Sequence, residues 1–424
     1  MTDAQPNGLD VTEVSCCIAG GGPAGLALGL MLARAGVKVL VLEKHTDFLR
    51  DFRGDTVQTS TLSVLEELGL LDRFLALPHE KSSALTVVTD AGETTVADFS
   101  ALPGQLKYIA YVPQWELLNM LAEAAQQYPM FELRMSAEAF DVCTENDAVR
   151  GVRYRDTAGR VHEVRAPLTV AADGRHSQIR DAAGMQPAAF DAPMDVLWFR
   201  LSRVPTDPTK SHAQSIGGRL LALINRGEHW QIGWMIPKES PTDPRDNGID
   251  GFCKELATLL PHLADRVEEI RDWDDVKVLN VRVDRLKRWY RDGFLVIGDA
   301  AHAMSPVGAV GVNLAVQDAV ATANLLADGL RHGRVRTRDL ARVQRRRRPA
   351  AAFLQRLQLV IQRRMLAPVL AGDTNRAPSG PAKMLQDSAR MRRIMARVFT
   401  YGIRHEHVKT KQVAGTQPAR QAVR

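Results

Sequence analysis

Gly20-Gly21-Gly22-Pro23-Ala24-Gly25 spaces three glycines as G-x-G-x-x-G, with Pro23 and Ala24 inside the motif. At that spacing the first glycine permits a tight turn and the second lets a pyrophosphate reach the backbone. The third lets the following helix pack closely. Exposed N–H groups at the helix start then favour the negative charge. Glu43 follows Gly25 by 18 residues, with Lys44 beside it, and a carboxylate there can accept hydrogen bonds from ribose hydroxyls. Together these residues predict a dinucleotide site.

Two later segments extend it. Ala172-Asp173-Gly174-Arg175-His176-Ser177-Gln178-Ile179-Arg180 and Gly298-Asp299-Ala300-Ala301-His302 each follow an apolar run. A carboxylate at the end of a parallel strand, beside a helix N-terminus, can bind a polyol chain, or it can simply cap the helix. Beyond Asp299 the chain runs through Pro306, Gly308 and Gly311 into an apolar helix. The helix start at Gly311-Val312-Asn313 can stabilise charge on a reduced ring. A nicotinamide dinucleotide needs only the first segment, so all three in order favour FAD. No Ser/His/Asp constellation or metal-ligand cluster is present, and His302 reads as a packing residue, so no side chain is assigned as catalytic.

The elements that must position these residues are legible. Val14 to Ala19 and Val37 to Leu42 are short apolar runs without helical period, suited to buried parallel strands. Between them Pro23 to Ala35 repeats apolar residues at helical spacing and stops at Gly36. The βαβ start predicts a parallel sheet with right-handed crossovers. Helices are expected from about Ser60 to Leu70, capped by Thr59 or Ser60, and from Pro113 to about Gln127. Strand-like runs at 196–201 and 229–237 predict an inserted, mainly antiparallel sheet, and 294–298 returns to the parallel one. The fold class expected is α/β, a Rossmann-like FAD-binding domain with an inserted substrate sheet and a helical C-terminal segment. The boundaries read as 1–190 and 286–335 for the FAD-binding domain, 191–285 for the substrate sheet and 336–424 for the basic helices. A loop is expected at 371–381.

Composition bounds the rest. The chain has 424 residues, 45% of them hydrophobic, enough for two or three domains at roughly 150 residues each. Four cysteines without a C-x-x-C exclude a disulfide scaffold and a zinc site. The amino terminus is acidic before its first apolar stretch and no long apolar run stands out, so an unprocessed cytoplasmic protein is expected. The net charge of +6 conceals an uneven distribution: residues 331–424 carry 23 Lys/Arg against 4 Asp/Glu. Such a segment suits either peripheral contact with an anionic membrane or Arg-rich helices packed on an acidic body. Nucleic acid is excluded, because the tail has no nucleic-acid fold signature and little aromatic interleaving.

With Arg53-Gly54-Asp55 and Gln114, the three segments make residues 12 to 335 resemble the single-component FAD-dependent aromatic hydroxylases, the p-hydroxybenzoate hydroxylase-like monooxygenases. The resemblance implies that Gly20, Gly22, Gly25 and Glu43 hold the ADP half of FAD, with Arg53 at the pyrophosphate and Gln114 along the cofactor. It places Asp173 in a segment shared by FAD and NAD(P)H, Asp299 at the ribityl or pyrophosphate region, and Gly311, Val312 and Asn313 beside the ring. Ala171 stands where the family often has glycine. NADPH or NADH would reduce the flavin without a domain of its own, since no second G-x-G-x-x-G occurs. Dioxygen would then form a flavin C4a-hydroperoxide that hydroxylates an aromatic or quinone/polyketide-like small molecule.

Candidate substrate contacts are Trp198, Trp234, Arg200 and Gln214, with Phe199, Trp230 and Met235 sharing the same strands. Alternation sends about half of them to the other face. Two rival readings remain. A flavoprotein reductase would transfer hydride without oxygen, and a halogenase would carry W-x-W-x-I-P, of which Trp234-Met235-Ile236-Pro237 keeps only the second half, Ile232 replacing the first Trp.

Overall fold

The structure, a computed structural model, describes residues 10–49, 56–89, 92–238, 243–370 and 387–413. The expected loop at 371–381 lies outside them. Cys16–Ala19, Val39–Leu42 and Leu168–Ala171 are buried at every position, because helices cover one face of the sheet they form and a separate four-stranded sheet that includes Glu138–Glu145, Ala148–Arg155 and Val161–Arg165 packs on the other. That sheet has six strands, in the order Tyr290–Arg291, Phe294–Val296, Leu168–Ala171, Cys16–Ala19, Val39–Leu42, Phe131–Arg134. All pairs are parallel except the Tyr290–Arg291 edge, with Cys16 opposite both Leu168 and Val39. Strand C-termini therefore deliver Gly20, Glu43, Ala172 and Gly298 to one edge.

Helices Pro23–Arg34 and Gly311–Arg331 share one core, where Leu26, Leu30, Ala319 and Ala323 are buried. Residues Val307–Arg331 are long and apolar enough to cross a membrane, yet 78% of the most apolar 18 residues within them are buried inside this fold. It is the central core helix. Helix Thr59–Glu67 starts from Gln58, which supplies no side-chain cap; the expected Thr59 or Ser60 cap is not formed, because the Thr59 hydroxyl donates to the Tyr108 carbonyl. Gly69, at φ +71°, ends it before a separate turn, Leu71–Leu75. Helix Gln114–Gln126 begins just after Pro113.

A second sheet has seven strands, ordered Lys277–Leu279, Met194–Ser202, His229–Pro237, Arg219–Asn225, His212–Ile216, Ala84–Thr89, Gly92–Asp98. It is antiparallel except between Ala84–Thr89 and His212–Ile216. Two of its strands thus come from outside residues 191–285, a long-range pairing that local pattern does not encode. One face packs on helix Gly248–Leu259, burying Phe199, Trp230, Trp234 and Phe252. The other faces the edge of the parallel sheet.

The basic C-terminal segment packs into the body. Helix Thr337–Ile361 runs on into a π-helical turn, Gln362–Leu366, and Ala389–Tyr401 follows. Arg347 is buried and donates from Nε to Asp318 (2.8 Å), while Glu406 pairs with Arg346 (2.7 Å). Asp318 also receives His302 Nε2 at 2.6 Å and the Gly298 N–H at 3.1 Å. Burial alone would raise the Asp318 pKa, but His302 and Arg347 outweigh it and hold the carboxyl below its ordinary value. His302 is thus a packing and pairing residue. Residues near 410 close on the first helix, where Arg34 donates to the Thr410 carbonyl.

Candidate active site

The three glycines of the first motif have three separate physical reasons. Gly20 sits at φ +106°, and a Cβ there would lie 2.5 Å from the Ala172 carbonyl oxygen. At Gly25 a Cβ would lie 1.9 Å from the Gly20 oxygen, so that glycine lets helix and strand touch. Gly22 is different. Its backbone is ordinary (φ −77°, ψ −174°), and a Cβ would meet nothing within 4 Å. No neighbouring protein atom requires a glycine at Gly22, which leaves room for a ligand against the backbone. Gly311, at the start of its helix, has the same open surroundings.

Glu43 accepts from the Gly21 N–H (2.8 Å) and the His45 N–H (3.1 Å), which fixes its carboxylate against the turn. Asp173 accepts from Ser177 Oγ and, at 3.4 Å, from the Ile179 N–H, so it caps the following short helix. Burial pushes its pKa up, against those hydrogen bonds. Asp299 lies 3.8 Å from the Arg175 guanidinium, joining the second and third segments.

One cleft of about 1,850 Å³ gathers these groups. Gly20, Gly22, Pro23, Ala24, Glu43, Lys44, Gln114, Asp173, Asp299, Pro306, Gly311 and Val312 all line it. Arg53 falls outside the described residues. Gly25 lies beneath the turn rather than on the cleft. Asn313 is turned away: its side chain accepts from Thr61 (2.9 Å) and Ser60 and donates to the Thr400 carbonyl (2.9 Å). A buried amide finds partners inside the protein, and here those partners lie behind the loop.

The cleft continues along the second sheet, past Met194, Val196, Trp198, Ala222 and Met235. Trp198 lies over Gly233, where a Cβ would come 2.8 Å from the indole. The remaining substrate candidates do not line it. Trp234 points to the opposite face and stacks with Phe252, centroids 5.3 Å apart. Arg200 shares the parity of Trp198 but is exposed near the strand end. Gln214 is absent from the cleft lining, although its neighbours Ala213 and Ser215 belong to it. Parity on a strand is decided by tertiary register, and the sequence left it open.

Polar groups missed by motif reading also sit on the cleft. Tyr111 lines it, with the Arg226 guanidinium 6.0 Å from its ring, and burial pushes its phenol up to about 12 despite that charge. Gln231 lines it too and accepts from Arg226 Nε at 2.9 Å. From the C-terminal segment come Leu357, Ile361, Arg364, Met365, Met395 and Phe399. Among the described residues no group of three or more His, Cys, Asp or Glu could hold a metal ion.

Residues 13–356 match the model of a family described as FAD binding domain. The chain is 32% identical over 424 residues to 6-methylpretetramide 4-monooxygenase of Streptomyces rimosus, covering 99% of this chain and 100% of that one. Among solved structures, the anhydrotetracycline hydroxylase OxyS of Streptomyces rimosus superposes with TM-score 0.70 at 21% identity, over 92% of this chain and 76% of that one. P. aeruginosa PqsL in complex with 2-aminobenzoylacetate gives TM-score 0.71 at 20% identity, over 86% and 98%. At such identities the two structures speak for the fold. The chain belongs to the FAD-binding aromatic monooxygenases related to p-hydroxybenzoate hydroxylase. It is an FAD-dependent oxidoreductase.

Proposed function

We propose that the protein hydroxylates a ring of a polycyclic aromatic polyketide, with dioxygen as oxidant and NADPH or NADH as electron donor. The observation that carries this reading is the single cleft joining the glycine turn to an apolar sheet face. Its volume of about 1,850 Å³ exceeds the roughly 300–1,000 Å³ of a pocket for one small ligand, leaving room for a multi-ring substrate beside a dinucleotide. The full-length relative that acts on 6-methylpretetramide supports the same substrate class.

The described residues fit FAD. Gly22 and the first turn of Pro23–Arg34 present N–H groups to a pyrophosphate, Glu43 suits ribose hydroxyls, and Asp299 suits the ribityl chain. Lys44 and Gln114 stand along the same wall, and Gly311 and Val312 offer helix-start N–H groups to the ring. When bound, FAD accepts two electrons from the nicotinamide and activates dioxygen toward an electron-rich ring carbon. The protein's share is placement and dryness. Met194, Val196, Trp198 and Met235 provide an apolar wall that excludes water, while Tyr111 and Gln231 supply a few directed polar contacts.

The basic C-terminal segment belongs to this site in our reading rather than to a lipid surface. Part of its charge is paired inside the fold, and Arg364, Met365, Met395 and Phe399 line the cleft. The test is substrate-stimulated NAD(P)H oxidation with a panel of phenols and polycyclic aromatics, followed by mass spectrometry under isotopically labelled dioxygen. Incorporation of one labelled oxygen into a polycyclic product supports the proposal. Turnover under anaerobic conditions with no oxygen gained would establish hydride-transfer reductase chemistry instead.

A further inference from the structure

The loop that runs from Ser305 to the helix at Gly311 has its carbonyl groups held by two glutamine side chains, and a third glutamine holds its Ser305 hydroxyl. Gln358 Nε2 donates to the Ser305 carbonyl (2.9 Å) and the Val307 carbonyl (2.7 Å). Gln58 Nε2 donates to the carbonyls of Gly308 (3.2 Å) and Ala309 (3.3 Å). Gln362 Nε2 reaches Ser305 Oγ at 2.8 Å, and that hydroxyl oxygen accepts from the Val307 N–H at 3.2 Å. All three glutamines are buried, and none lines the cleft, whereas Ser305 to Gly311 do. The amides therefore stand behind the loop and draw its oxygens away from the cleft.

A trans peptide sets each N–H opposite its carbonyl. With the oxygens of Val307 and Ala309 bonded to the glutamines, the N–H groups of Gly308 and Val310 are directed to the opposite side of the loop, while the Ala309 N–H is taken by the Pro306 carbonyl at 2.9 Å. The backbone there would not relax to this shape unaided: Gly308 lies at φ +75° and Ala309, a residue with a side chain, at φ +50°. Such a conformation persists only when surrounding contacts over-determine it. Gln358 Oε1 and Gln362 Oε1 have no hydrogen-bond partner among the described residues.

We propose that Gln58, Gln358 and Gln362 form a clamp that pre-orients the 305–311 loop as a hydrogen-bond donor surface for the electron-accepting ring of FAD. They are positioning residues acting through the loop backbone. The inference rests on the reading that the ring lies against this loop. It gives the C-terminal helices a role that charge alone did not suggest, because Gln358 and Gln362 come from them. So does Phe399, whose ring would come 2.8 Å from a Cβ at Gly308. Thr400 Oγ1 lies 3.5 Å from Gln58 Oε1, linking the second C-terminal helix to the same clamp.

A neighbouring glutamine supplies the control. Gln355, one turn earlier on the same helix, donates to the carbonyls of Asp284 and Ala303 outside the loop and accepts from Arg285. The experiment compares Gln358→Leu, Gln58→Glu, Gln362→Met and Gln355→Leu for three quantities: apoprotein unfolding temperature, FAD affinity by fluorescence titration, and flavin midpoint potential by spectroelectrochemistry. Gln358→Leu is expected to cost the apoprotein no more stability than Gln355→Leu does, while FAD binds about tenfold more weakly, since a loosened loop must be ordered on binding. Gln58→Glu sets a carboxylate against two carbonyls, and the potential is expected to fall as the donor surface turns away. Gln362→Met, the mildest change, gives a smaller shift in the same direction if the more drastic variants fail to fold. Gln355→Leu is expected to lose stability with FAD affinity changed by less than about twofold and the potential unmoved. FAD affinity that simply tracks stability across the four variants would overturn the clamp. Wild-type protein that binds no FAD would instead overturn the site assignment on which it rests.

Discussion

Gly22→Ala separates a ligand-binding glycine from a structural one. A methyl at Gly22 enters open space, and its backbone needs no left-handed conformation. Two small effects on the apoprotein oppose each other: lower chain entropy in the unfolded state favours alanine by about 0.4–1 kcal/mol. Alanine's poorer performance at a helix N-cap costs roughly 0.5–1 kcal/mol. Apoprotein stability should therefore stay within about 1 kcal/mol of the parent. The cofactor affinity should not. A methyl between backbone and pyrophosphate breaks one or more charge-assisted hydrogen bonds of about 1.5–3 kcal/mol each, hence a roughly 10- to 150-fold rise in FAD Kd. Gly25→Ala provides the contrast. Its Cβ would lie 1.9 Å from the Gly20 oxygen, so it should destabilise the apoprotein itself by at least about 1–3 kcal/mol. Denaturant unfolding of both apoproteins, with FAD titration by flavin fluorescence, checks the pair. An unchanged FAD Kd for Gly22→Ala, or a loss of apoprotein stability equal to that of Gly25→Ala, would refute the reasoning.

The two tryptophans of the second sheet should behave oppositely. Trp234→Ala opens a hole in the core beside Phe252 and should cost about 3–5 kcal/mol of stability, whereas Trp198→Ala should chiefly change KM for a large substrate; unfolding curves and steady-state kinetics distinguish them. Asp318→Asn removes a charge facing buried Arg347 and His302. It should cost about 3–5 kcal/mol in denaturant unfolding, as expected for a broken buried pair. Asp207 is hydrogen-bonded by Arg266, which holds its carboxyl well below the ordinary range, and Asp318 is also lowered. A depressed folded-state pKa contributes stability that is complete above the unfolded value near 3.9 and is lost as pH falls through the lower folded values. Unfolding free energy should accordingly drop below about pH 4, and Asp207→Asn should flatten that slope in a pH series of denaturant melts. Deleting residues from 387 onward should loosen FAD retention, measured by absorbance after gel filtration, because Phe399 and Thr400 leave the loop; unaltered retention would place the segment outside the site.

Much of the cofactor wall could be read from the chain alone because its determinants are local. A glycine whose spacing fixes a turn, an apolar run buried on both faces and an acid at a strand end are each set by a few neighbouring residues. Gly20, Glu43, Asp173 and Asp299, singled out by type and spacing, accordingly line one cleft together. Motif reading could not foresee that the Asn313 amide turns to Ser60, Thr61 and Thr400, because those partners lie far from it in the chain. The glutamines did leave a signal: Gln355, Gln358 and Gln362 recur along one face of an Arg-rich helix. Their targets, however, lie some fifty residues back in the chain, and spacing carries no information about that distance.

By itself, then, the sequence determined the βαβ start, the glycine turn and the order of the three motif segments, since each depends on contacts within a short stretch of backbone. Only tertiary structure decided which face of each strand of the second sheet looks into the cleft, that residues 84–98 complete that sheet, and that the basic helices return to hold the 305–311 loop. A one-residue change of register exchanges Trp198 for its neighbours, and register is fixed by pairing between distant strands.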